Sequence, residues 1–315
     1  MSLWNRCVAI ALSASVAPLA LGADVAGTTR SVVPGTPHQV ASLVVQSSRI
    51  TRLPSAAAAQ LVAGGHDTSY RLYPSSWACA GSLTGCVFGD ASSHKVVVLF
   101  GDSHMLMWLP AIAPAATRAR VKLVLIYANS CPVAIIGNFS LYQGTDGTLV
   151  GCERFRNLAI EAIHAMNPSA VIIAERTTLV YSEPSHVLFT PLQWQLSLET
   201  TILRLKTPTM KIAVMQDTNW FDVNPMSCLA AYPSQVRRCD EPFPNRKEHG
   251  NWRAEYYAAK ATGAQYVWTR GWLCTAVCSP VIGHFITNFD NGHLSATYAA
   301  YLSRVVGDVL KPILS

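Results

Sequence analysis

The tightest constraint on the fold is a pair of signals that recurs from residue 95 onward: a short apolar run, then a stretch of helical periodicity. The runs fall at residues 96–100, 121–127, 170–174, 212–215 and, more weakly, 266–268. Helical stretches occupy 104–118, 153–166, 191–205 and 250–262, and a last one runs from Ser295 to Leu310. Short apolar runs bounded by turn residues read as strands buried on both faces. Their alternation with helices demands βαβ units with right-handed crossovers, hence a parallel sheet covered by helices on both sides. The fold class is α/β, in one domain over residues 95–315.

Half of the 315 residues are hydrophobic and only 13% are charged, enough for a sizeable core. The formal charge of +6 is spread out, its densest clusters being Arg237-Arg238 and Arg246-Lys247. A nucleic-acid surface needs a basic stripe, so no nucleic-acid partner is expected. Residues 1–23 open with a positive charge, continue uncharged from Cys7 to Ala23 and contain Ala20-Leu21-Gly22, a small-x-small cleavage pattern. They read as a secretory signal, with a retained membrane anchor as the alternative; the mature chain is expected outside the cytoplasm, secreted, periplasmic or at the cell envelope.

Beyond Cys7, eight cysteines remain: Cys79, Cys86, Cys131, Cys152, Cys228, Cys239, Cys274 and Cys278. An even number in an exported chain predicts disulfides, although eight cysteines allow about a hundred pairings. Pairing of sequence neighbours is favoured, because each pair then staples one excursion from the core. Zinc is the rival reading, but Cys274 and Cys278 lack a second close pair, and no metal or other cofactor is expected. Residues 24–94 read as an extension of low periodicity, with one short helix at 56–63 and a stapled loop at Cys79 and Cys86. Two connections, 131–152 and 217–248, are longer than a compact fold needs and are expected to wall a cleft.

Two motifs carry chemistry. Gly101-Asp102-Ser103-His104 follows the first core strand and opens a helix. That places Ser103 at the carboxyl edge of the sheet, where open α/β sheets bind ligands, with helix N–H groups facing any developing oxyanion. The plain alternative is a strand-to-helix turn in which Ser103 is a cap. The second motif, Asp290-Asn291-Gly292-His293-Leu294-Ser295, enters the last helix. Asp-x-x-His sets a carboxylate against one imidazole nitrogen and frees the other, which is what a serine nucleophile requires. Alone it is a weak signal, and it reads as a turn with His293 at the surface. His104 either lines the substrate pocket, together with Asp102, or caps the helix, and His284 reads as structural. Arg176 and Arg270 are candidate anion binders near strand ends. Trp108, Trp194, Trp220, Trp252, Trp268 and Trp272 are candidates for stacking on sugars, of which one or two are expected at the cleft. Position 105 is Met, so the Gly-x-Ser-x-Gly elbow is absent.

Together the two motifs resemble those of the SGNH/GDSL hydrolase superfamily. The likeness is greatest to the SGNH-like domains at the C-terminus of bacterial acyltransferase-3 membrane proteins. Asn129-Ser130-Cys131-Pro132, Gly151-Cys152-Glu153 and Trp272-Leu273-Cys274 with Cys278-Ser279-Pro280 extend the likeness over residues 77–312. The resemblance implies a three-layer α/β/α, flavodoxin-like sheet and a triad of Ser103, His293 and Asp290. It implies acyl transfer or ester hydrolysis on carbohydrate hydroxyls, with an acylated carbohydrate or cell-envelope glycan as partner. A separate membrane acyltransferase is a further expected partner, since relatives carry a membrane domain that supplies the acyl group. The chain departs from the family where oxyanion donors are usual: Asn129-Ser130 and Glu175-Arg176-Thr177 stand there. Asn129 and Arg176 are the expected substitutes. A scaffold that binds a glycan or a membrane partner without turnover is the competing reading.

Overall fold

The computed structural model describes residues 32–62, 66–141, 151–245 and 250–315. The leader read at 1–23, Gly144 and Gly147 of the first long loop, and Arg246-Lys247 lie outside the described residues. Residues 32–315 form one compact unit. Its centre is a six-stranded sheet of β1 (Cys86–Gly89), β2 (Val96–Gly101), β3 (Lys122–Tyr127), β4 (Ala170–Ala174), β5 (Lys211–Met215) and β6 (Gln265–Val267). The spatial order is β1-β3-β2-β4-β5-β6. β2 to β6 are mutually parallel, and β1 lies antiparallel on β3 at the edge. Numbered by themselves, the parallel strands follow the flavodoxin-like order 2-1-3-4-5.

Every second strand residue serves a different core. Val97 and Leu99 of β2, with Leu123, Leu125 and Ile172, face a layer built by α1 (Pro37–Ser47), α3 (Ser103–Arg118), α7 (Ala296–Tyr301) and α8 (Ser303–Val309). Val98 and Phe100, with Val124, Ile126 and Ile173, face α4 (Cys152–Met166), α5 (Pro191–Leu205) and α6 (Asn251–Thr262). A strand apolar on both faces can lie only between two helical layers, and each fully buried large side chain contributes about 1.5–3 kcal/mol. Helix limits follow local chemistry. Thr190 and Gln193 close a capping box ahead of α5, and Gly250 and Gly263, both at positive φ, bound α6.

The unbroken last helix expected from the sequence is three short pieces, Ala296–Tyr301, Ser303–Val309 and Lys311–Leu314. At the first joint the Leu302 N–H is shared between the carbonyls of Tyr298 and Ala299, which tightens the turn; Pro312 opens the third piece. The described residues from 32 to 94 belong to the same compact unit, with α1, α2 (Ser55–Val62) and edge strand β1. Disulfides join Cys79 to Cys86, Cys131 to Cys152, Cys228 to Cys239 and Cys274 to Cys278.

Candidate active site

The order of the parallel strands reverses between β2 and β4, and the site lies at their carboxyl ends. Gly101 stands opposite Ala174 and Tyr127 in the ladder. A Cβ at Gly101 would come within 2.0 Å of the Ala174 carbonyl and 2.5 Å of Met105 Cβ, so only glycine fits. Asp102 caps α3: Oδ1 accepts the His104 N–H at 2.8 Å and Oδ2 accepts the Arg176 N–H at 3.0 Å. One buried carboxylate thus fastens the start of α3 to the segment leaving β4. Ser103 is the first residue of α3, and its own N–H stands where the helix has no acceptor to offer.

His293 Nε2 lies 2.8 Å from Ser103 Oγ, and His293 Nδ1 lies 2.7 Å from Asp290 Oδ2. The other Asp290 oxygen accepts the Gly292 N–H at 2.9 Å and the His293 N–H at 2.7 Å, so the carboxylate folds its own turn while facing the ring. Burial opposes ionisation of Asp290, but these hydrogen bonds outweigh it and hold the carboxyl below its ordinary value. The turn is anchored from the long connection after β5. Thr218 Oγ1 donates to the Gly292 carbonyl, and Phe221 and Asn291 exchange two bonds.

Behind this row is a second, buried one. His104 Nδ1 is 2.5 Å from Asp217 Oδ1, and its ring meets that of His293 edge-on at 4.7 Å between centroids. Asp217 Oδ2 accepts the N–H and hydroxyl of Thr177, and its own N–H donates to Glu255. Burial disfavours a charged His104, yet the adjoining Asp217 carboxylate prevails and raises its pKa. Glu175, fully buried, accepts from the Ala134 N–H and the Trp194 indole; desolvation pushes its pKa up to about 8.

A cleft of about 260 Å³ opens over Ser103 and His293, walled by Leu106, Met107, Asn129 and Phe289. Its remaining wall comes from the segment before β1: Thr68, Ser69, Tyr70 and Trp77. A family model described as the SGNH domain, fused to AT3 domains, matches residues 71–308. The chain belongs to this SGNH-domain family. No curated protein matches it in sequence. Among solved structures it is similar to the periplasmic domain of a lipopolysaccharide acetyltransferase from Salmonella ser. Paratyphi A. That match has 15% identity and a TM-score of 0.58, covering 78% of this chain and 97% of that one. A carbohydrate acetylesterase from Sinorhizobium meliloti aligns at 12% identity and a TM-score of 0.45, covering 70% of this chain and 99% of that one. The three-layer α/β/α architecture expected from the resemblance is that of the SGNH fold.

Several expected site residues stand elsewhere. Asp102 and His104 do not line the substrate pocket, because capping and the Asp217 contact bury them at 0% and 2% exposure. Arg176 does not wall the cleft either: its guanidinium lies 4.9 Å over the Trp220 ring and its Nε donates to the Thr178 carbonyl. Asn129 does reach the cleft, and its Oδ1 accepts the Tyr70 hydroxyl at 3.4 Å. Arg270 is no anion binder; it is buried against Phe243 and Trp252 and donates to the Asp217 and Thr218 carbonyls. Trp108 and Trp194 are core. The tryptophan at the cleft is Trp77, in a short 3-10 helix (Pro74–Cys79) that neither periodicity nor motif marks; its one signal is its place two residues before Cys79.

Proposed function

We propose that the chain is an extracytoplasmic serine acyl-transfer enzyme acting on O-acyl groups of carbohydrate. The observation that carries this reading is the continuous row Ser103 Oγ, His293 Nε2, His293 Nδ1, Asp290 Oδ2, with 2.8 and 2.7 Å between partners. His293 takes the Ser103 proton as Oγ bonds to the ester carbonyl carbon. The tetrahedral oxyanion is met by the Ser103 N–H and by the Asn129 side-chain amide, whose oxygen Tyr70 holds. On collapse the C–O bond to the leaving alcohol breaks, and that oxygen takes the proton back from the imidazolium. A sugar hydroxyl or water, deprotonated in turn by His293, then attacks the acyl carbon; the bond to Ser103 Oγ breaks and Oγ takes the proton from the imidazolium.

Support for a carbohydrate acyl group comes from the family, described as fused to AT3 domains, and from the named activity of the lipopolysaccharide acetyltransferase. Four disulfides support an oxidising compartment. With a membrane acyltransferase supplying the acyl group, the chain is a transferase; acting alone, it is an esterase. Arg176, turned onto Trp220, leaves fewer oxyanion donors than the sequence suggested, which favours the non-catalytic scaffold as the second reading.

A fluorophosphonate probe separates the two. The wild type is expected to label, and Ser103→Ala to lose both labelling and most of a roughly millionfold rate gain on acetylated sugars. More than a few per cent of activity left in Ser103→Ala, or no labelling of the wild type, sinks the catalytic assignment.

A further inference from the structure

We propose that Trp77 and Tyr70 form a sugar-stacking platform beside the nucleophile, so that the segment before β1 selects the carbohydrate. This rests on the acyl-transfer reading above and adds the subsite that holds the sugar ring. Trp77 lines the same cleft as Ser103 and His293, yet it is 66% exposed, the most exposed tryptophan among the described residues. An indole left in water beside a nucleophile gives up the burial that such a ring gains in a core. Tyr70 meets it edge-on at 4.8 Å between centroids and turns its hydroxyl toward Tyr127 and Asn129.

A pyranose has an apolar C–H face and a rim of hydroxyls, and the wall has the complementary division. The indole offers the flat apolar surface. Asn129 offers a side-chain amide at the rim.

The platform is preorganised. Cys79, two residues after Trp77, is bonded to Cys86 at the start of β1. The Tyr127 hydroxyl donates to the Ser76 carbonyl at 2.9 Å, and Asp67 bridges Arg71 and the Thr297 N–H at the start of α7. A rigid aromatic wall binds without an ordering cost at the moment of binding.

The test compares kcat/KM on a panel of O-acetylated gluco-, xylo- and rhamno-oligosaccharides with that on ethyl acetate, which has no ring to stack. Trp77→Ala is expected to lower the ratio of the two by about tenfold for the best sugar, chiefly through KM, and Trp77→Tyr to restore most of it. Titration of the same oligosaccharides into Ser103→Ala, with and without Trp77→Ala, reads binding independently of turnover. Ratio and binding both unmoved across the panel, in folded Trp77→Ala, overturn the platform. Ser103→Ala active on ethyl acetate overturns the parent reading instead, and that result does not depend on Trp77.

Discussion

At the scale of single residues, the row from Asp290 to Ser103 makes a demand on the imidazole that a neutral side chain cannot meet. Asp290 accepts the His293 ring at one oxygen and two backbone N–H groups at the other. Asp290→Asn keeps the shape but turns an amide N–H toward one of these donors, and the ring loses the acceptor that fixes its tautomer. A kcat about four orders of magnitude lower is expected, together with a lower melting temperature because the turn loses its carboxylate acceptor; a loss of kcat under tenfold removes Asp290 from the mechanism. Because its hydrogen bonds keep the carboxyl below its ordinary value, Asp290 stays ionised on mild acidification. That Ser103, His293 and Asp290 meet was legible because each motif has a short fixed spacing. Arg176 was not, since its direction is set by Trp220, which arrives from the far side of β5. Tyr70 and Trp77 were not legible for a related reason: they lie in helical turns too short to show periodicity, Ser69–Leu72 and Pro74–Cys79, and only the folded chain brings these to Ser103.

At the scale of elements, the four inner parallel strands were readable because burial on both faces leaves unbroken apolar runs, whereas β6, at the edge with Gln265 and Tyr266 half-buried, gave a weaker one. The antiparallel β1 was not readable. Its four residues include exposed Val87 and a terminal glycine, and they read as the loop between two cysteines. The joint between β2 and α3 is the least tolerant place in the fold. Gly101 packs against backbone of the adjacent strand: a methyl group there would stand 2.0 Å from the Ala174 oxygen, and a strand paired on both sides cannot retreat. Gly101→Ala is expected to cost more than about 3 kcal/mol and to take activity with it. Ser103→Ala, two residues on, should lose activity at full stability. Urea unfolding of the pair checks this, and equal midpoints refute the packing account.

At the scale of the whole molecule, four carboxylates gather near the carboxyl end of the sheet: Asp102 after β2, Glu175 after β4, Asp217 after β5, and Glu255 on α6. Asp217 is held below its ordinary value against its burial, chiefly by His104, so it and Asp290 are ionised throughout the neutral range and add no slope there. Glu175 behaves in the opposite way. Unfolded, it releases its proton near 4.5; folded, desolvation holds the proton until about 8. Between those values the native state carries a proton that the unfolded state lacks, so raising the pH favours unfolding. The Glu175 contribution is complete below 4.5 and lost as the pH climbs through about 8. Glu255, raised by burial, and His104, raised by Asp217 against its burial, act with the same sign. The protein should therefore melt highest in mild acid and progressively lower toward pH 8. Glu175→Gln substitutes a permanently neutral amide, so its melting temperature should fall less between pH 5 and pH 8 than that of the wild type. Calorimetry at several pH values decides it: parallel curves for the two proteins mean that Glu175 is already ionised in the fold, whereas a flatter curve for the variant assigns part of the pH dependence to the carboxyl at the end of β4, the strand beside the one that leads into Ser103.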